Sequence, residues 1–201
     1  MPEPGERQDP IARILDAAHD CIARVGVSKT TLDDVARDAG CSRATLYRHL
    51  PGKAEVVARL VEREANRLDA ALGAAAADAT DLASAVSAVI VAGAEFLLDH
   101  AALDAVMAIE PSLVHPVLGL GGADEFTRRA AALVAPHLAS HTATPREAER
   151  LADLIVRVTL SHLQTPDPQR PITDPQVTRN LVETFIVPGF VPDPASGRTP
   201  S

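Results

Sequence analysis

At 201 residues the chain has room for one or two domains of roughly 150 residues each. Its 46% hydrophobic and 23% charged residues exclude wholesale disorder, and five aromatics in an alanine-, leucine- and arginine-rich chain favour helices over sheets. The net charge of −8 falls wholly on residues 61–201, with ten basic against eighteen acidic side chains, while residues 1–60 balance at nine against nine. That asymmetry confines any nucleic-acid surface to the N-terminal end.

Residues 1–9 are polar with Pro and Gly, a flexible tail. The opening MPEPGERQDP has neither the basic nor the apolar segment of a secretory leader, so a cytoplasmic protein is expected. Ile11, Ile14, Leu15, Ala18, Ile22 and Val25 then recur at spacings of three and four. They form one face of a helix that Gly26 ends. Thr30-Thr31-Leu32-Asp33-Asp34 reads as a second start, with a hydroxyl for the free N–H groups and two acids where the helix dipole is positive. This short helix, LDDVARDA, stops at Gly40. Ser42 caps a third, RATLYRHL, which stops before Pro51-Gly52. From Lys53 a longer helix carries Val57, Val61, Leu68 and Leu72 on a shared face. Cys21 and Cys41 are too few for a disulfide scaffold and read as small buried hydrophobes.

Two short helices joined by a tight turn containing glycine, behind a longer supporting helix, form the helix-turn-helix layout. Its second helix must be exposed enough to enter the major groove, roughly 12 Å wide. RATLYRHL offers Arg43, Thr45, Tyr47, Arg48 and His49 outward, while Leu46 and Leu50 can pack against Leu32, Val35 and Ala36. Residues 42–59 carry four basic side chains against Glu55 alone.

The segment TTLDDVARDAGCSRATLYRHLPGKAEVV resembles the DNA-binding signature of the TetR family of bacterial transcriptional regulators. Thr30-Thr31, Val35-Ala36, Ala39-Gly40, Ser42, Thr45-Leu46-Tyr47, His49 and Lys53 fall in its register. Ala44 stands where the family often has glycine, and Leu50 where phenylalanine is common. The resemblance implies an all-α protein with an N-terminal three-helix DNA-binding domain and a C-terminal helical bundle for ligand binding and dimerisation. It also implies that dimers place their recognition helices in successive major grooves of a near-palindromic operator. By position, Tyr47, His49 and Lys53 would contact phosphates, and Thr31 would offer another phosphate its hydroxyl and N–H. Arg43, Ala44 and Thr45 would stand at the base-reading end, with Arg43 able to grip guanine, and Ser42 is a further DNA-binding candidate. Arg48 could read a base or bind phosphate.

After residue 78 the chain becomes acidic and alanine-rich, with helices expected over 81–100, 101–109, 122–140, 145–164 and 174–187. Pro111, Pro116 and Gly119-Leu120-Gly121-Gly122 break it in the middle. The longest uncharged helical run, Leu82 to Ala94, is 13 residues against roughly 20 for a membrane span, so no membrane partner is expected. Thr144-Pro145-Arg146-Glu147 is a capping box with proline at the first helical position. Four prolines from Pro166 to Pro175 make a stiff connector. The domains expected are a tail at 1–9, the helix-turn-helix at 10–52, a connecting helix at 53–74, the ligand-binding and dimerisation domain at 75–190, and a tail at 191–201.

On 145–164, Leu151, Leu154, Ile155 and Val158 form one stripe and Val156, Leu160 and Leu163 another, the pattern of a helix buried on two sides. With the last helix (Leu181, Val182, Phe185, Ile186), it makes the expected homodimer interface, in which Leu154, Val158, His162, Leu181 and Phe185 are the candidate contacts. Phe96, Met107, Ile109, Phe126 and Leu133 are the candidate apolar lining of a ligand pocket, each equally readable as core. His100, Arg157, Thr159 and His162 could orient a head group, and His162 could instead lie in the interface. A mainly apolar lining points to a lipophilic effector.

His137 and His141 are four apart, a metal-ligand spacing, but no glutamate follows His137 and no third ligand is placed. They read as solvated surface. No nucleophile signature is present, so neither an enzyme nor a cofactor is expected. The function expected is a dimeric transcriptional repressor released from double-stranded DNA by a small molecule. The alternative is an architectural or activating DNA-binding protein without an effector.

Overall fold

The computed structural model describes residues 9–102 and 123–190. Every regular element in them is helical, and no helix among these described residues is long and apolar enough to cross a membrane. The chain divides into two compact units, with the division inside one helix at Asn66/Arg67 and, among the described residues, 100–102 rejoining the first unit.

The first unit begins with α1 (Pro10–Lys29). The Asp9 carboxylate accepts from Ile11 N–H at 3.1 Å, and proline opens the helix. Gly26 interrupts it with φ 82° and ψ 169°, a backbone open to glycine at no steric cost. The Thr30 hydroxyl donates to the Gly26 carbonyl at 2.7 Å, closing the corner into α2 (Leu32–Asp38). Thr31 caps α2 through Asp34 N–H at 3.2 Å. At its end Gly40, at φ 63°, allows Cys41 N–H to bond the Ala36 carbonyl and Gly40 N–H that of Arg37, the paired closure of a glycine-terminated helix. Ser42 then caps α3 (Arg43–His49), and α4 (Lys53–Ala76) follows.

Burial in this unit gathers Ile14, Leu15 and Ile22 of α1, Val35 of α2, Leu46 and Leu50 around α3, and Val56 and Leu60 of α4. Two sequence expectations shift. Val25 is exposed, and Val61 is 61% exposed. The apolar residues of α4 lie on adjacent stripes one residue apart, and the bundle takes the 56/60 stripe. Ion pairs tie the helices together: Arg24 to Asp38 and Arg63 to Asp16, both at 2.6 Å. Cys21 is buried and its thiol donates to Asp38 Oδ2 at 3.3 Å. Burial first, and then Asp38, push the thiol pKa up, which favours the protonated thiol over the thiolate. Cys41 is only half-buried.

The second unit holds the rest of α4 with α5 (Leu82–Leu98), α6 (Ala123–Leu138) and α7 (Pro145–Gln164). Asp81 and Ser84 exchange side-chain-to-backbone bonds at the start of α5. Thr144 caps α7 through Glu147 N–H at 3.2 Å, while the Glu147 carboxylate accepts from Ala143 N–H at 3.0 Å rather than from the cap residue itself. The core runs through Leu72, Val86, Ile90, Leu138, Leu151 and Ile155.

The last helix departs from a uniform α-helix. α8 (Pro175–Leu181) widens into a π turn over Val182–Ile186 and tightens to a 3-10 turn over Val187–Gly189. Val182 and Ile186 are buried, while Phe185 is 75% exposed.

Candidate functional site

α3 meets the requirements of a groove-binding helix residue by residue. Leu46 and Leu50, one turn apart, are buried in the first unit's core. The opposite face (Arg43, Ala44, Tyr47 and Arg48) is exposed, with Thr45 and His49 half-buried at its edges. Ser42 Oγ accepts from Thr45 N–H at 3.0 Å and lies 2.8 Å from the Thr45 hydroxyl. The start of the helix is thereby ordered without help from a ligand.

Several polar groups on and around this face have protein partners. The Arg43 guanidinium donates to Asp33 at 3.2 Å and stands 5.4 Å from the centre of the Tyr47 ring. Tyr47 and then Asp33 hold it still more firmly protonated than usual. Thr31, the cap of α2, both accepts from Asp34 N–H and donates to the Asp34 carboxylate. Its hydroxyl and Arg37 lower the pKa of Asp34. Lys53 Nζ donates to the Ser28 carbonyl at 2.9 Å, which leaves two of its three donors for a phosphate. The arrangement offers cationic donors beside an exposed helix face.

The second unit contains a cavity of about 70 Å³ between α4, α5, α6 and α7. Leu72, Ile90, Gly93, Phe126, Val134 and Ile155 are among the residues lining it. The Thr159 hydroxyl, the polar group at its wall, donates to the Ile155 carbonyl at 2.7 Å.

The model of bacterial regulatory proteins of the tetR family matches residues 14–60, the stretch that contains α2, α3 and their caps. Over nearly the whole chain, the HTH-type transcriptional regulator Rv1255c of Mycobacterium tuberculosis is 30% identical across 189 residues, covering 92% of this chain and 88% of the relative. The chain belongs to the TetR family of bacterial transcriptional regulators. The regulator TtgR of Pseudomonas putida is 40% identical over 57 residues, 28% of this chain and 27% of that one. Similarity to it is confined to a short segment. Among solved structures, the TetR family repressor AlkX of Dietzia sp. superimposes with a TM-score of 0.63 at 22% identity, covering 92% of this chain and 97% of that one. That protein is implicated in biodegradation of n-alkanes; the superposition establishes a shared fold.

The residues expected to build the pocket of this TetR-family chain's bundle lie in different surroundings. Of the five apolar pocket candidates, Phe126 lines the cavity. Phe96 and Leu133 are half-buried and are not among the residues that line it, and Met107 and Ile109 lie outside the described residues. His100 belongs to the first unit, where its Nε2 is 3.4 Å from Glu64 and its ring meets His19 edge-on at 5.4 Å. Arg157 is exposed and paired with Asp153 at 2.9 Å on its own helix, and both side chains line an open groove between α6 and α7 rather than the cavity. His162 bonds the Val158 carbonyl at 2.8 Å. The reason is shared: a polar residue on a mixed helix turns toward whichever partner or solvent lies nearest, which periodicity does not register. His137 is half-buried rather than solvated, its Nε2 2.9 Å from Asp69. The cavity residues that sequence reasoning missed, such as Ile90, Val134 and Ile155, look like any other core position in a helical pattern. Asp33 was also missed as a partner of Arg43, because its position at a helix start already accounted for it.

On α7 the expected first stripe separates. Leu151 and Ile155 are buried in their own core, while Leu154 is 36% exposed and Val158 half-buried. Leu181 is half-buried beside exposed Phe185.

Proposed function

We propose that this TetR-family regulator acts as a homodimeric repressor that binds a near-palindromic operator through α3 and is released by a small lipophilic molecule held in the second unit's cavity. The observation that carries the reading is the division of α3: Leu46 and Leu50 anchor it while Arg43, Ala44, Tyr47 and Arg48 face outward. Tyr47, His49, Lys53 and Thr31 would grip phosphates, and Arg43, Ala44 and Thr45 would meet base edges. Exposed Leu154 and Phe185 support pairing of two copies through α7 and α8. The apolar cavity lining supports a lipophilic effector. At about 70 Å³ it is smaller than the roughly 300–1,000 Å³ of sites for drug-sized ligands. Such an effector would therefore select a wider, less populated state of the bundle, and release of DNA would follow from that shift. The same small volume favours the second reading, a DNA-binding protein that needs no effector.

The deciding experiment is selection from random duplex DNA by the purified protein. An inverted repeat is expected, with Tyr47→Ala and Lys53→Ala weakening all sequences alike, and Arg43→Ala relaxing one base position. Unchanged affinity in Tyr47→Ala would remove α3 as the recognition helix. A thermal-shift screen of lipophilic compounds tests the effector, since binding to the folded state raises the melting temperature.

A further inference from the structure

Arg43 is not a free arm. Its Nη1 donates to Asp33 Oδ2 at 3.2 Å, and its Nε lies 3.1 Å from Asp33 Oδ1, on a different helix. Its guanidinium carbon stands 5.4 Å from the centre of the Tyr47 ring, one turn along α3. A carboxylate thus flanks the guanidinium while an aromatic ring packs near it. Arg43 and Asp33 are both largely solvated, with side-chain exposures of 64% and 59%, and an ion pair that wet adds little to folding. Its consequence is orientation. Arginine has five N–H donors in a planar fork. The Asp33 carboxylate occupies one side of that fork, which leaves donors on the other for the paired acceptors O6 and N7 of guanine.

We propose that Asp33 is a specificity-determining positioning residue: its carboxylate, together with the Tyr47 ring, holds Arg43 aimed at a guanine edge and away from the neighbouring phosphates. The proposal rests on the reading of α3 as the recognition helix. Two opposed effects follow from the charge. Without Asp33 the guanidinium can swing to phosphate oxygens, contacts that add affinity but no sequence information. Loss of a negative charge near the DNA surface also strengthens binding to every sequence. Affinity and discrimination therefore move in opposite directions, which a purely structural residue would not produce.

The test uses the full chain as wild type, Asp33→Asn, Asp33→Glu, Arg43→Ala and the double variant Asp33→Asn/Arg43→Ala. Each is selected on random duplex DNA, then titrated with the best wild-type duplex and with the same duplex carrying a substitution at the guanine whose preference Arg43→Ala loses. Thermal unfolding checks that each is folded. Asp33→Asn, nearly isosteric, should lower discrimination at that base about three- to tenfold while tightening binding to random duplex about two- to fivefold. Asp33→Glu should recover part of the discrimination. In the Arg43→Ala background, Asp33→Asn should leave base preference unchanged, since the coupled partner is gone. Tighter binding by Asp33→Asn to all duplexes with discrimination intact or sharpened would overturn the proposal and leave the recognition-helix reading standing. Failure of the wild type to enrich any motif would overturn both.

Discussion

Phe185 gives the most direct measure of whether two copies of this chain pair through α7 and α8. A phenylalanine can bury about 150–250 Å². At 75% exposure, about 150 Å² of ring stands in solvent, where the π turn that buries Val182 and Ile186 has left it. At about 25 cal/mol per Å², covering that area contributes roughly 4 kcal/mol per ring, and a two-fold interface uses the ring twice. Ordering costs offset part of this on association. Taking half of the total, Phe185→Ala should weaken the dimer by about 4 kcal/mol, close to a thousandfold in Kd. Sedimentation velocity across nanomolar to micromolar protein would read the shift, with exposed Val61 truncated to alanine as the control. Phe185→Ala sedimenting like the wild type throughout that range would refute the argument that this ring is an interface anchor.

Further predictions concern the glycines and carboxylates. A Cβ at Gly93 would meet Leu72 at 3.8 Å, an ordinary contact, so Gly93→Ala should add about 1 kcal/mol through helix propensity and raise the melting temperature by a few degrees. At Gly73 the added Cβ would come within 3.3 Å of His137 Cε1 and push the ring off Asp69. Gly73→Ala should therefore show no such gain in the same melt. Gly26→Ala, forced to φ 82°, should cost about 1–3 kcal/mol in denaturant unfolding. The Asp38 carboxyl, bonded by Arg24 and then Cys21, lies below its ordinary pKa of 3.8. The folded state therefore holds its proton less tightly than the unfolded chain does. The resulting stability is present above that ordinary value and is lost as pH falls through the lowered one. Asp38→Asn should be destabilised near pH 6 and converge on the wild type well below pH 4; a constant gap would contradict the assignment.

Elements fixed by neighbours along the chain are legible in the sequence itself. Thr31, Gly40 and Ser42 settle where α2 and α3 begin and end, because each acts on backbone groups within four residues. The same holds for Thr144-Pro145 opening α7. The outward face of α3 is readable as well, since Leu46 and Leu50 leave one direction for everything else. The end of the chain is less legible: apolar spacing marks Val182, Phe185 and Ile186 alike, and the π turn separates them.

What the sequence determined on its own, then, was the helix-turn-helix and its exposed residues, through short-range hydrogen bonds and a one-sided apolar pattern. Tertiary structure alone decided that Leu151 and Ile155 turn inward while Leu154 turns out, that His100 meets Glu64 rather than a cavity, and that Asp33 holds Arg43. Each of those outcomes depends on which distant side chain, or how much solvent, occupies the last few ångströms around a residue, and periodicity along one helix contains no information about its neighbours in space.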